Sequence, residues 1–283
     1  MRLLPRLVLT LALSLLSAGP LLAGDFEISG FVGLSAPTYS QTFSYQPPPP
    51  PTVSGIRIDQ RGDFELKATG GTAFGGAVAF FPVPAVGIEA RLDTADMNLE
   101  TQNASYVVGV SLPQPIGNVS TELDLPNAEV DLERPRPVSL NVRVRVPGTV
   151  SVGLSGGLSY LPSLKVRVVQ PLAITSSLLD LVGGRVDVGE VPVVATADPT
   201  VEGSRLGGNL GLGLAVEVGE TVSLAVEARG FYFKEHRLTW SRADNQPLNA
   251  VEEIVVDEAL RALPAVEFKP IFFNVTAGLT LRF

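Results

Sequence analysis

The feature that most constrains this chain is its closing segment, residues 273–283, FNVTAGLTLRF. Phe273, Val275, Ala277, Leu279, Leu281 and Phe283 fall on one side of an extended backbone; Asn274, Thr276, Gly278, Thr280 and Arg282 fall on the other. Strict alternation is the period of a strand with one apolar face, not that of a helix. The same split recurs. Residues 205–217 set Leu206, Leu210, Leu212, Leu214 and Val216 against Gly207, Asn209, Gly211, Gly213, Ala215 and Glu217. Residues 138–146 set Val138, Leu140, Val142, Val144 and Val146 against Ser139, Asn141, Arg143 and Arg145. It appears again at 26–36, 64–80, 86–94, 150–160 and 222–232, always with a small or polar second face.

Soluble β-sandwiches also alternate, so the contents of the faces decide the class. The apolar faces run for 9–11 residues, about what a tilted strand needs to cross a bilayer. The opposite faces are rich in Gly, Ala, Ser and Asn, which suits the crowded inside of a narrow closed barrel. Connection lengths agree. Tight turns at 81–85, 147–149 and 218–221 alternate with long connections at 37–63, 95–137, 161–204 and 234–269. Short periplasmic turns and long outer loops are the pattern of outer-membrane barrels. The expectation is an all-β, closed antiparallel transmembrane β-barrel of eight strands, with both ends of the mature chain on the turn side. Residues 105–112 with 119–125, and 164–169 with 185–196, would raise the count to ten or twelve if they crossed the membrane. Their shortness, prolines and charges make them extracellular hairpins instead.

Residues 1–23 have a basic start at Arg2 and Arg6, an apolar stretch from Leu7 to Leu16, and small residues up to Ala23. That is the layout of a cleaved secretory signal peptide, leaving 24–283 as a single barrel domain. Loss of the two arginines takes the net charge from −8 to −10. An acidic chain of this kind does not suit a nucleic-acid partner. The absence of cysteine removes disulfides, thiol catalysis and zinc–thiolate sites.

The signal segment, the hairpin GAVAFFPVPAVGIEA (Gly76 to Ala90) and the closing strand together resemble the small bacterial outer-membrane β-barrel proteins, the group of the OmpA transmembrane domain and OmpX. The resemblance implies that the closing strand is an assembly signal read by the barrel-assembly machinery, with Phe283 last and Leu281, Leu279 and Ala277 at the alternating positions before it. It also implies residence in the cell outer membrane, among its lipids and lipopolysaccharide. The chain stops at Phe283, where OmpA continues into a periplasmic domain.

Carried through without interruption, the alternation turns Glu27, Glu65, Glu89, Asp93, Glu217 and Glu227 into the lumen, with Lys67, Arg91, Arg143, Arg145, Arg229 and Arg282. An eight-stranded barrel is only wide enough for side chains to fill it, and unpaired charges there are costly. The expectation is a plug of paired charges. A charged constriction that passes ions is the alternative, gaining weight with a wider barrel.

Reactive constellations are scarce. His236 is the one histidine. A lipid A deacylase-like site would need a serine two residues away, where Leu238 stands, and Glu235, Thr239 and Ser241 are at spacings that place them on the opposite strand face. Gly207 to Gly213, GGNLGLG, continues the alternation rather than opening a helix, so it is no cofactor loop. Pro47 to Pro51 reads as a stiff polyproline rim. Residues 249–263 read as a short helix over the barrel mouth, capped by Asn249 with Glu252 and ended by Pro264. Asp124, Glu129, Asp131 and Glu133 lack calcium-loop spacing. No cofactor, metal or catalytic residue is expected. The functional expectation is a structural or adhesion-like surface role; a narrow porin-like channel comes second, and a surface lipid-modifying enzyme is remote.

Overall fold

The computed structural model describes residues 24–46, 57–111, 117–124, 127–162, 166–174, 189–197, 206–242 and 250–283. The signal segment, Pro47 to Pro51 and Asn249 lie outside them. Among the described residues, fifteen strands and one helix follow in chain order: β1 (Asp25–Pro37), β2 (Ser40–Tyr45), β3 (Arg57–Val83), β4 (Val86–Ser111), β5 (Asn118–Asp124), β6 (Glu129–Leu132), β7 (Val138–Val146), β8 (Val150–Tyr160), β9 (Val166–Ile174), β10 (Gly189–Ala197), β11 (Leu206–Glu217), β12 (Val222–Phe233), β13 (His236–Arg242), α1 (Ala250–Ala262), β14 (Val266–Phe268) and β15 (Ile271–Arg282).

Eight of these strands close on themselves in the order β1-β3-β4-β7-β8-β11-β12-β15, and β15 returns to β1. All neighbours are antiparallel. The seam joins the two ends of the chain: Phe26 N–H donates to Phe283 O at 3.1 Å and Phe283 N–H to Phe26 O at 2.8 Å. The closing strand is therefore a barrel stave with partners on both edges, the only arrangement that satisfies its backbone in lipid.

Outside, the staves carry Val32, Leu34, Ile88, Leu140, Val142, Leu154, Leu212, Val226, Val275 and Leu279, all exposed. From Phe273 on β15 to Phe283, the residue just after it, the lipid face spans ten residue steps. At about 3.4 Å per step and a tilt of roughly 40°, that is roughly 26 Å of height, matching the apolar band of outer-membrane barrels. Among the described residues no helix is long and apolar enough to cross a membrane, and a barrel needs none.

The segments expected as extra hairpins do not enter the ring. Ser105–Ser111 is the far end of β4, paired with β5, and β9 pairs with β10 beyond the barrel. The count stays at eight. The long connections, however, are not loops for most of their described length. β3 and β4 run on for 27 and 26 residues and leave the bilayer as one continuous hairpin. β2 and β5 extend their sheet on either side, and β14-β13-β10-β9-β6 form a second, five-stranded sheet. Together with α1 they build a cap on the barrel's outer end.

Candidate functional site: a filled lumen under an apolar cap

The inward faces of the staves carry a connected polar network. Arg229, on β12, is 2% exposed; its guanidinium donates to Glu89 at 3.1 Å, to Glu227 at 2.6 Å, to Ser155 Oγ at 2.6 Å and to Asn209. Arg91 forks onto Asp93 at 2.8 and 3.0 Å, reaches Glu227 at 2.7 Å, and lies 3.8 Å over the Phe31 ring. Nearer the turns, Glu27 receives Arg145, Arg282 at 3.2 Å and Arg143 at 3.4 Å. Arg145 also holds Asp25 at 3.0 Å and the Pro84 carbonyl at 2.7 Å, stacked 3.8 Å from the Phe81 ring. Arg282 continues to Glu217 at 2.9 Å on the rim.

Arg91, Arg145, Arg229 and Arg282 each meet two or more acceptors, which is what lets charge sit in so confined a space. The inward glycines make the room. A Cβ on Gly211 would strike Glu227 Oε1, Ser155 Oγ and the Arg229 guanidinium, and one on Gly75 would come within 2.7 Å of the Phe31 ring. Two cavities of about 30 Å³ flank the network. One touches Glu89, Arg91 and Glu227; the other touches Arg143, Arg145 and Ser151. Each has room for about one or two waters. Neither is a bore.

Above the network the lining changes within one step of each strand. Asp93 gives way to Ala95 on β4, Arg229 to Phe231 on β12, Asn274 to Phe272 on β15, and Ser159 on β8 to Leu161 just beyond it; all are buried. The Phe231 and Phe272 rings stack at 4.8 Å, with Phe233 6.5 Å from Phe272. Beneath this layer Ser35 and Asn274 are register partners. Ser35 Oγ and both Asn274 amide atoms have no hydrogen-bond partner among the described residues. They are the loosest point of an otherwise paired interior.

Beyond the phenylalanines the inside is mostly apolar, with Gln60, Thr101 and Gln170 among its buried polar side chains. Phe43 stacks on Phe64 at 4.8 Å, and Trp240 meets both edge-on at 5.8 and 6.0 Å. Tyr39, Leu66, Met97, Leu99, Val168 and Phe268 belong to the same buried cluster. Burial, and secondarily the Glu267 carboxylate, raise the Tyr39 hydroxyl well above its ordinary pKa. It therefore stays protonated and donates to Gln41 Oε1 at 2.9 Å. The cap's outer face is charged. Burial there resists ionisation of Asp63, but hydrogen bonds from Arg61 and Ser44, and the charge of Arg61, hold its carboxyl below the usual value.

This places the charges read from the sequence. Glu27, Glu89, Arg91, Asp93, Arg143, Arg145, Glu227 and Arg229 line the lumen, with Glu217 and Arg282 at its turn-side rim. Glu65 and Lys67 do not; this corrects the reading from alternation. Their neighbours Phe64 and Leu66 are the buried ones, and Glu65 accepts from Ser40 Oγ at 2.6 Å on the cap's outer face. The cause is a bulge. β3 pairs Gly70 with Met97 but Ala73 with Ala95, so two residues oppose one, and a bulge of one residue exchanges the two faces of a strand. Asp25 and the neutral Asn141, Asn209 and Ser155 also belong to the network. Their signal was present: each follows the inward parity of its strand.

The candidate chemistry is scattered. His236 stands opposite Phe268 at the start of β13. Glu235 is committed to Lys269 at 2.9 Å, and Thr239 and Ser241 lie on the exposed side of the strand. Among the described residues no group of acids and histidine could hold a metal. α1 covers Ala250–Ala262, Val256 and Leu263 are buried, and Leu263 joins the cap core.

No protein-family model matches the sequence, and no curated protein matches it either. Solved structures do. The outer membrane protein OprG of Pseudomonas aeruginosa is similar at 12% identity and a TM-score of 0.41, over 92% of this chain and 96% of that one. The N-terminal β-barrel domain of OprF from the same organism is similar at 10% identity and a TM-score of 0.32, over 92% and 99%. The outer membrane protease OmpT of Escherichia coli is similar at 9% identity and a TM-score of 0.39, over 93% and 97%. These are bacterial outer-membrane barrels, the kind that the closing strand resembles. Likenesses this distant say nothing of activity.

Proposed function

We propose that this chain is an integral outer-membrane barrel that neither conducts nor catalyses, and that its cap is a surface-interaction module. One observation carries the reading: the lumen is closed twice, by a buried ion-pair network and by the apolar core stacked on it. A transport path would have to break both. The apolar belt of bilayer height supports the location, and the scattered positions of His236, Glu235, Thr239 and Ser241 support the absence of chemistry. Export through a cleaved segment 1–23 and recognition of Phe283 by the assembly machinery belong to the same proposal. So does contact of the belt and rim with outer-membrane lipid and lipopolysaccharide.

Planar-bilayer recording tests it. Folded protein should give no current, or only rare and small events; steady, large unitary currents from monomers would overturn the reading. Deletion of Phe283 should reduce the folded outer-membrane fraction, seen as heat-modifiable gel mobility, while secretion continues. Wild-type levels and rate would show that residue to be ordinary lipid-facing surface.

A further inference from the structure

The two edges of the apolar belt differ in charge. On the turn side, the connections at 81–85, 147–149 and 218–221 hold no base, and Arg282 is taken up by Glu27 and Glu217. On the cap side, Arg134 and Arg136 in the run leading into β7, Lys234 just after β12 and Lys269 just before β15 are all exposed. Asp96 answers Arg134, and Glu235 answers Lys269. Arg136 and Lys234 take part in no ion pair among the described residues.

The arginines stand on a braced stretch of backbone. Residues 133–137 read Glu-Arg-Pro-Arg-Pro, and both prolines are buried. Their carbonyls accept from β4, Pro137 O from Asp93 N–H and Pro135 O from Ala95 N–H, each at 3.1 Å. The run therefore prolongs β7 along β4, with φ fixed at each proline. Arg134 and Arg136 keep the outward parity of the exposed Leu140, Val142 and Val144. Counted from Val146 at the turn, Arg136 lies ten residue steps up and Arg134 twelve, roughly 26 and 31 Å of height at the rise and tilt of a barrel stave. One meets the upper edge of the belt and the other the headgroup zone above it. Arg134 touches Asp96 through Nε at 2.7 Å and remains 60% exposed. Below them Val138 pairs with Tyr160 and Leu140 with Leu158, and both leucines are exposed.

We propose that Arg134 and Arg136 bind the phosphate of an outer-leaflet lipid whose acyl chains lie along Leu140 and Leu158. Alternate residues of a strand are about 7 Å apart, so two long side chains can close on one phosphate. The planar guanidinium fork matches its oxygens. A lipid suits the place better than a soluble anion, because the wall beneath the arginines is aliphatic and faces hydrocarbon. The inference rests on reading the chain as an outer-membrane barrel with its cap outside. It narrows general contact with lipopolysaccharide to one site for a phosphate.

Native mass spectrometry of the full-length folded protein in detergent, titrated with phosphorylated lipid A, tests this. Arg136→Gln removes a guanidinium that no described group uses, so heat-modifiable folding should persist while lipid binding weakens about fivefold. Arg136→Lys keeps the charge without the fork and should fall between the two. Lipid A stripped of its phosphates should bind the wild type no better than phosphorylated lipid A binds Arg136→Gln. Inorganic phosphate at the same concentration should not displace the lipid. Arg57→Gln with Arg61→Gln removes two bases near the far end of the β3–β4 hairpin and should leave binding unchanged. Unaltered binding by folded Arg136→Gln, equal binding of the stripped lipid, displacement by inorganic phosphate, or an equal loss in the Arg57 and Arg61 variant would each overturn the proposal. None of these results alters the conductance test, so the two readings fail separately.

Discussion

The membrane section and the cap are built from the same strands with opposite sidedness. On β4, Glu89, Arg91 and Asp93 face inward within the bilayer, and Ala95, Met97 and Leu99 continue the same inward face above it. On β3 the charges Asp63, Glu65 and Lys67 are outside above the bulge, while Phe74 is exposed below it. The solvent explains the inversion. Below, the surroundings are hydrocarbon, so apolar side chains go outward and polar ones pair in the lumen. Above, the surroundings are water, and burial of apolar surface puts the aromatics inside. One hairpin crosses both regimes because a bulge and a change of side-chain type occur at the same height.

The two regions should therefore respond differently to loss of a buried side chain. Arg229→Ala takes the shared guanidinium from Glu89, Glu227, Asn209 and Ser155, leaving Glu89 to Asn141 and Glu227 to Arg91, and removing one partner of a buried ion pair costs about 3–5 kcal/mol. Urea unfolding from vesicles should show that loss in the barrel itself; a shift below about 1 kcal/mol would mean that water reaches and screens the network. Phe64→Ala removes a ring from the cap core, at about 3 kcal/mol, and should act only there. The cap should become susceptible to protease added outside while heat-modifiable mobility of the barrel persists. Joint loss of both would show that cap and barrel form one cooperative unit.

The pattern of sidedness also marks what could be read in advance. The closing strand, the short turns and the count of eight were legible because each stave puts small or polar residues opposite aliphatic ones over a bilayer's height. The cap was not. Phe64, Leu66 and Ala68 alternate with Glu65 and Lys67 as cleanly as any stave, and alternation defines two faces without saying which is inside. The switch at Gly70–Ala73 has only a weak local sign, two consecutive glycines and a threonine. Gly71 tolerates the bulge because a Cβ there would come within 2.7 Å of Asp96 Cβ. The network's neutral members, Asn141, Asn209 and Ser155, lay on the inward parity but draw less notice than charges.

The claim that sidedness inverts at this bulge is open to one direct measurement, a cysteine scan along β3 in a chain that has no cysteine of its own. Folded protein in vesicles would be treated with a membrane-impermeant maleimide or a lipid-soluble one. Positions 63, 65 and 67 should react with the water-soluble reagent, and positions 64, 66 and 68 should be protected. Below the bulge, positions 74 and 78 should react only with the lipid-soluble reagent, and 73, 77 and 79 with neither. A single parity of labelling that runs unbroken from 63 to 79 would contradict the inversion, and with it the separation of a sealed polar lumen from an apolar cap.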